Sequence, residues 1–239
     1  KRSWLQENLL PLIWCQFSFL FFQNHSRKFP YVKFVSNIVF KDLSCILASQ
    51  KKHKMSLTPS TMLPLGTEAP NFKLLDTISN TLSSLEDLKG KKGTVVMFIC
   101  NHCPFVKHVN EELVRLCNDY RVTGFGFVAI SSNDVENYPQ DSPEQMRKTA
   151  REQGYAFPYL YDPSQEVAKA YDAACTPDFY LFDEKLKLVY RGQLDNSRPG
   201  NGIPVNGRDL REAMDHILIN RAQHKDQKPS IGCNIKWKQ

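Results

Sequence analysis

Residues 95–108 read VVMFICNHCPFVKH. An apolar, β-branched run leads into Cys100-Asn101-His102-Cys103, and Pro104 then opens an amphipathic segment. A continuous apolar run of this length is the pattern of a strand buried on both faces. Proline is tolerated in the first turn of a helix, where its missing N–H costs nothing. The stretch therefore reads as strand, turn and helix, with two thiols at a helix N-terminus. The backbone dipole and free N–H groups there favour a thiolate.

Downstream, Val106, Val109, Leu113, Leu116 and Tyr120 recur at spacings of three and four, and Gly124 closes that helix. Cys117 fits the same stripe. Residues 126–131 form a second buried strand, followed by a polar loop over 133–141. Ser142-Pro143-Glu144-Gln145 combines an N-cap, a Pro at N1 and a Gln at N3, so a helix runs from there to about residue 153. A short strand lies within 155–161. Asp162-Pro163-Ser164-Gln165 repeats the helix-start chemistry and predicts a helix to about Tyr171. After Cys175-Thr176-Pro177, residues 178–182 and 186–191 form a hairpin about Asp183-Glu184-Lys185. Residues 193–206, rich in Gly, Pro and Asn, form a loop. Leu210, Ala213, Met214, Ile217 and Leu218 lie on one helix face, and the tail from Ala222 is polar until residues 231–237. Upstream of the motif, residues 72–76 read as a short strand and 83–90 as one helical turn stopped by Gly90.

The order β-α-β-α-β-α-β-β-α implies an α/β three-layer sandwich. Its mixed central sheet has parallel crossovers in the first half, an antiparallel hairpin at the end, and helices on both faces.

Charge and cysteine content bound the function. Residues 1–54 carry nine Lys/Arg and two Asp/Glu, net +7, whereas the other 185 residues carry 22 and 23, net −1. The basic excess belongs to this leader, and the body offers no electrostatic case for nucleic acid. Seven cysteines in 239 residues are too few for a disulfide-stapled secreted scaffold, and the number is odd. A reducing compartment follows, with Cys-x-x-Cys as chemistry and not reinforcement.

Residues 1–54 are set apart as leader, and 55–239 as one domain with a C-terminal tail. The first methionine, Met55, reads as a natural start. The leader is open to three readings: translated non-coding sequence, a basic and acid-poor targeting peptide, or an anchor. Its apolar run over residues 9–22 is short for a spanning helix, which needs ~20 residues. Localisation is cytoplasmic, or plastid or mitochondrial if the leader is a targeting peptide. The folded domain implies no membrane association.

The order of elements, with Cys100-x-x-Cys103 at the end of the first long strand and Thr176-Pro177 ahead of the hairpin, resembles the thioredoxin fold. Within that superfamily, residues from about Met55 onward resemble the AhpC/TSA peroxiredoxin-like group. The resemblance is carried by ICNHCPFVKHV (99–109), CTPDFYLFD (175–183), YRGQLDNSRPGNG (190–202) and PSIGCNIKW (229–237). It implies that Pro177 is cis and lies against the thiols, and that the exposed edge of Thr176 pairs with a substrate backbone near Cys100. A working peroxiredoxin carries Pro-x-x-x-Thr-x-x-Cys-Pro. Aligning Cys103-Pro104 to its end puts Cys100 at the Thr and Val96 at the first Pro, and the peroxide-polarising Arg falls near Pro177. The dithiol survives and the peroxide pocket does not.

The resemblance thus implies a thiol–disulfide oxidoreductase in redox homeostasis. Cys100 is the exposed, low-pKa attacker and Cys103 the resolving thiol. His102 resembles the His of Cys-Pro-His-Cys in oxidising thioredoxin relatives and would stabilise the Cys100 thiolate. Pro104, Thr176 and Pro177 are supporting residues, and Cys175 and Cys233 are candidate additional thiols. Cys175 reads as a small core residue, and Cys233 equally as a resolving or a packed thiol. Arg191, Asp195 and Arg198 look functional in the resembling segment or are loop charges. Lys107 and His108 tune the thiolate or form a solvated face. No organic cofactor is needed, and no metal is assigned. The partners are a protein or small-molecule disulfide or thiol and a dithiol reductant; oligomeric state is left open. The alternatives are a thiol peroxidase with Cys103 peroxidatic, and a non-catalytic module in which Cys100, His102, Cys103 and His108 or Cys233 hold Zn or Cu(I) or sense redox state. Two inert buried cysteines or a structural disulfide are the bland readings.

Overall fold

A computed structural model describes residues 57–239. The leader over 1–54, its cysteines Cys15 and Cys45, and Met55 lie outside the described residues. Among those described, no helix is long and apolar enough to cross a membrane.

The predicted central strand is β4 (Gly93–Phe98), buried at every position. It pairs in parallel with β5 (Phe125–Ser131) and antiparallel with β8 (Asp178–Asp183). The seven-stranded sheet is completed by β2 (Lys73–Asp76), β3 (Thr81–Ser84), β6 (Tyr159–Tyr161) and β9 (Leu188–Gly192), in the order β3-β2-β6-β5-β4-β8-β9. Successive strand residues face opposite sides, so β4 feeds two cores. Val95 and Met97 pack with Val109, Leu113 and Leu116 of α2 (Pro104–Arg121) and with Leu210 and Met214 of α5 (Arg208–Leu218). Val96 and Phe98 join Val128, Ile130, Tyr171 and Tyr180 on the other face. Each such aliphatic side chain, fully buried, contributes roughly 1.5–3 kcal/mol. The mixed sheet with helices on both faces is the thioredoxin-like sandwich expected from the order of elements.

Three elements differ from the sequence reading. Residues 81–84 form β3, antiparallel to β2, before the helical turn α1 (Leu85–Leu88) begins at a Ser84–Asp87 capping box. The carboxylate of Asp76 accepts from the Ile78 and Ser79 amides and tightens the hairpin. The Ser142-Pro143 helix start does open α3 (Pro143–Gln153). The similar Asp162-Pro163 does not start a helix, and α4 (Glu166–Ala170) begins only after Gln165, whose φ is +64°. Asp162 is instead buried, accepting from Ser132 Oγ at 2.8 Å and from the Ala168 amide at 3.0 Å.

The third difference is the tail. Residues 231–234 form β10 (Ile231–Asn234), which lies between β1 (Leu57–Pro59) and β7 (Cys175–Thr176) in a small antiparallel sheet. The register pairs Cys233 with Leu57 on one side and with Thr176 on the other. A Cβ on Gly232 would fall 2.0 Å from the Thr176 carbonyl oxygen, so only glycine lets the two backbones approach this closely. Beyond β10, Asn133 Oδ1 accepts from the Lys236 amide and Gln165 Oε1 from the Lys238 amide, each at 2.8 Å. Polar side chains of the body thus stitch the tail down.

Candidate active site

The strand delivers Cys100 and the helix begins at Cys103. Cys103 is the N-cap of α2, Pro104 occupies the start of its first turn, and the Lys107 amide donates to the Cys103 carbonyl at 3.0 Å. Thr176 meets both thiols. Its Oγ1 is 3.4 Å from Cys100 Sγ, and its carbonyl oxygen accepts from Cys103 Sγ at 3.1 Å. The Thr176–Pro177 peptide is cis. Cys233 is the third neighbour, its Sγ 2.9 Å from Cys103 Sγ. All three thiols are sealed from solvent, with Cys100 1%, Cys103 0% and Cys233 2% exposed.

Three thiols in contact do not ionise alike. Hydrogen bonds with Cys100 first and Cys233 second hold Cys103 far below the usual thiol range, against the opposing effect of burial. The Val106 amide in the first helical turn adds to this, although it makes no capping hydrogen bond. A side-chain hydrogen bond from Thr176 lowers the Cys103 thiol further, whereas the Thr176 carbonyl, which can only accept a hydrogen bond, favours the protonated thiol. The two donors rise correspondingly. Cys100 is raised by its hydrogen bond with Cys103, by burial and by the Asp141 charge, and Cys233 by its hydrogen bond with Cys103 and by burial.

This corrects the expectation of an exposed, low-pKa Cys100. The helix N-terminus falls at Cys103, so the backbone dipole acts on that thiol, and an acidic neighbour faces Cys100. The role given to His102 also changes. Its Nδ1 lies 2.6 Å from Asp141 Oδ2, and its ring stacks on Tyr138 at 5.7 Å and 11°. Asp141 is fully buried and also accepts from the Asn101 amide and from Asn133 Nδ2, both at 2.8 Å. The imidazole is thus tied to a carboxylate that raises the Cys100 thiol. The sequence reading placed Asp141 at the end of a polar loop; its position directly before an N-cap Ser-Pro was the signal available.

The edge of Thr176, expected to be exposed, is covered by β10. Cys233, expected in a polar tail, is buried beneath it. Cys175 is not hydrogen-bonded to either thiol of the pair: its Sγ donates to the Pro177 carbonyl at 3.6 Å, and burial pushes its thiol up. Cys117 packs in the α2 stripe as expected. Arg191 is no loop charge. It is fully buried, donates from Nη2 to Asp178 Oδ2 at 3.2 Å and to the Asp172 carbonyl at 2.6 Å, and stacks on Tyr180. Burial pushes Asp178 up to about 6 in spite of Arg191. Asp195 accepts from the Ser197, Asn206 and Gly207 amides, and Arg198 donates to the Asp195 and Ser197 carbonyls; both shape the loop. Among the described residues, His108 Nε2 is buried without a hydrogen-bond partner, while Lys107 lines a polar groove of about 460 Å³ that meets the motif at Asn101 and His102. Among the described residues, two groups could hold a metal ion, Cys100–His102–Asp141 and Glu212–His216–His224. In each, the ligand atoms lie within 4.8 Å of one another.

The AhpC/TSA family model matches residues 65–191. A Mycobacterium tuberculosis protein named provisionally as a peroxiredoxin is 30% identical over 117 residues, covering 49% of this chain and 69% of that protein. The thiol-disulfide oxidoreductase ResA of Halalkalibacterium halodurans is 26% identical over 124 residues, covering 52% of this chain and 65% of ResA. The crystal structure of an uncharacterized conserved protein from Geobacillus kaustophilus is 64% identical and superimposes with a TM-score of 0.76, over 77% of this chain and 97% of that one. With a match across half its length, a thioredoxin-like sandwich and a Cys-x-x-Cys at the head of α2, the chain belongs to the AhpC/TSA family.

Proposed function

We propose that the chain is a thiol–disulfide oxidoreductase whose working pair is Cys100 and Cys103, with the thiolate on Cys103. The observation that supports this reading is the contact of one residue, Thr176, with both thiols at the start of α2. In the reduced chain the Cys103 thiolate attacks a substrate disulfide R–S–S–R′. The Cys103–S–R bond forms, and R′S⁻ leaves and takes up a proton. Cys100 then loses its proton and attacks Cys103 Sγ, forming Cys100–Cys103 and releasing RS⁻. A second dithiol returns the two electrons. The thiols are buried, so the substrate is a small disulfide or reaches them through local opening; a groove at Asn101 and His102 borders the motif.

A thiol peroxidase is the second reading, favoured by the position of the thiolate. Cys103 is the residue that aligns with the peroxidatic cysteine. Among the described residues, its partners are Cys100, Cys233, Thr176 and the Val106 amide, none of them a cation that would polarise a peroxide.

The test is turnover of a small disulfide and of hydrogen peroxide by the wild type, Cys100→Ser and Cys103→Ser. Loss of disulfide turnover by ~100-fold or more in Cys103→Ser, with turnover also lost in Cys100→Ser, supports the exchange reading. Disulfide turnover unaffected by Cys103→Ser overturns it. Peroxide consumption that survives Cys100→Ser but not Cys103→Ser favours the peroxidase.

A further inference from the structure

Cys233 has no role in the mechanism above, yet it is the closest sulfur contact that Cys103 makes outside its own motif. The two Sγ atoms are 2.9 Å apart and 130 residues apart in sequence. The contact is built into the backbone. β10 runs antiparallel to β7 with Cys233 opposite Thr176, the residue whose carbonyl and hydroxyl touch Cys103 and Cys100. An extended peptide adding to a sheet edge uses main-chain pairing for affinity and places alternate side chains into pockets. The tail does this to the chain's own Thr176 edge, and the side chain it places against Cys103 is a thiol. Gly232 allows the close approach, since a Cβ there would strike the Thr176 carbonyl. β1 on the far side, with Asn133 and Gln165 beyond, keeps the strand in place.

We propose that Cys233 is a resident disulfide partner of Cys103, so that β10 is a built-in substrate strand and the oxidised chain passes its disulfide between Cys100–Cys103 and Cys103–Cys233. The inference rests on the reading of Cys100 and Cys103 as a redox pair. The step is an isomerisation. The Cys233 thiol gives up its proton and attacks Cys103 Sγ of the Cys100–Cys103 disulfide. The Cys103–Cys233 bond forms, the Cys100–Cys103 bond breaks, and its electron pair leaves on Cys100, which takes up the proton. No electrons enter or leave. The result frees Cys100, the thiol beside the His102 groove, while Cys103 stays covered. A second consequence concerns substrates: a protein disulfide can pair with the Thr176 edge only after β10 has left it.

The experiment is disulfide mapping by mass after oxidation with glutathione disulfide and acid quenching. It compares the full chain with its Cys100→Ser, Cys233→Ser and Cys100→Ser/Cys233→Ser variants, each checked for a cooperative melt. The expected result is a Cys103–Cys233 linked peptide in the wild type. In Cys100→Ser the same linkage predominates and the glutathione adduct on Cys103 is lost; in the double variant the adduct returns. A Cys100→Ser chain whose Cys103 stays reduced or carries glutathione beside a free Cys233 overturns the proposal. A wild type that never links Cys103 to Cys233 overturns it as well, without recourse to any variant. The underlying redox-pair reading fails separately, if the Cys100–Cys103 linkage is missing from both wild type and Cys233→Ser.

Discussion

Cys100 and Cys233 both touch Cys103, but they reach it by opposite means. Cys100 is three residues away, held by one turn between a buried strand and a helix. Cys233 is 130 residues away, held by strand register on two sides and a glycine that removes a clash. The near thiol is guaranteed by the covalent chain, whereas the far thiol depends on tertiary structure and is lost with it. Perturbations of the body should therefore separate the two routes, and those at the motif should act on the near one alone.

The largest effect is expected behind Thr176, where the buried Asp178–Arg191 pair braces the residues that follow it. Arg191→Met leaves the Asp178 carboxylate without its partner and should cost about 3–5 kcal/mol in urea unfolding. The far route should fail first, seen as loss of Cys103–Cys233 linkage at urea concentrations where Cys100–Cys103 still forms. The same carboxylate carries a pH signature. Its folded pKa of about 6 lies above the unfolded value of about 3.9, so the folded state binds its proton more tightly. The penalty of the charged form is fully present above pH 6 and is relieved as pH falls from about 6 to about 4. Wild type should gain stability relative to Asp178→Asn as pH falls through that window, and the difference should be flat above it. A difference constant through the window would break the assignment.

Next in size is Gly232→Val, which pushes a side chain into the Thr176 carbonyl. Overpacking of this kind costs ~1–3 kcal/mol. Here mapping should show Cys103–Cys233 reduced and Cys100–Cys103 unchanged; equal loss of both would erase the distinction between the routes. Asp141→Asn addresses the near route. Removing the negative charge beside Cys100 makes its thiolate less costly, so its raised pKa should fall. Alkylation of Cys100 in Cys103→Ser should then begin at lower pH. The smallest effect belongs to Ser60→Ala, which removes the acceptor of the Ser230 amide at the head of β10. About 1 kcal/mol is expected, read as faster hydrogen exchange in residues 230–234.

The same division explains what the sequence could tell. The strand, the thiol pair, the helix stripe and the hairpin all depend on neighbours within a few residues, and each was legible from periodicity, capping or turn chemistry. The Thr176 loop was legible only through resemblance. What was missed involves contacts across the chain. Asp141 is buried because Asn101, His102 and Asn133 converge on it, and its place before an N-cap Ser-Pro hints at a fixed position without announcing those partners. Arg191 looked like a loop charge because its partners, Asp172 and Asp178, come from another strand and a helix end. The 231–234 strand follows a polar stretch and is only four residues long, and its pairing depends on the register of β1 and β7. Cys100 was expected to be exposed because the helix start was placed near it, while Cys103 itself is the cap and Cys100 lies buried before it in the chain.

The placement of β10 also has a consequence for how the protein is made. Synthesis runs from the N-terminus, and structure forms as chain emerges. Cys100, Cys103 and Thr176 are all translated before residue 231, so for that interval the nascent chain carries its thiol pair beside an unpaired strand edge. Such an edge is a template for pairing with other chains. A message truncated just ahead of residue 231 would fix the protein in that state, with most of its core and nothing to cover the edge.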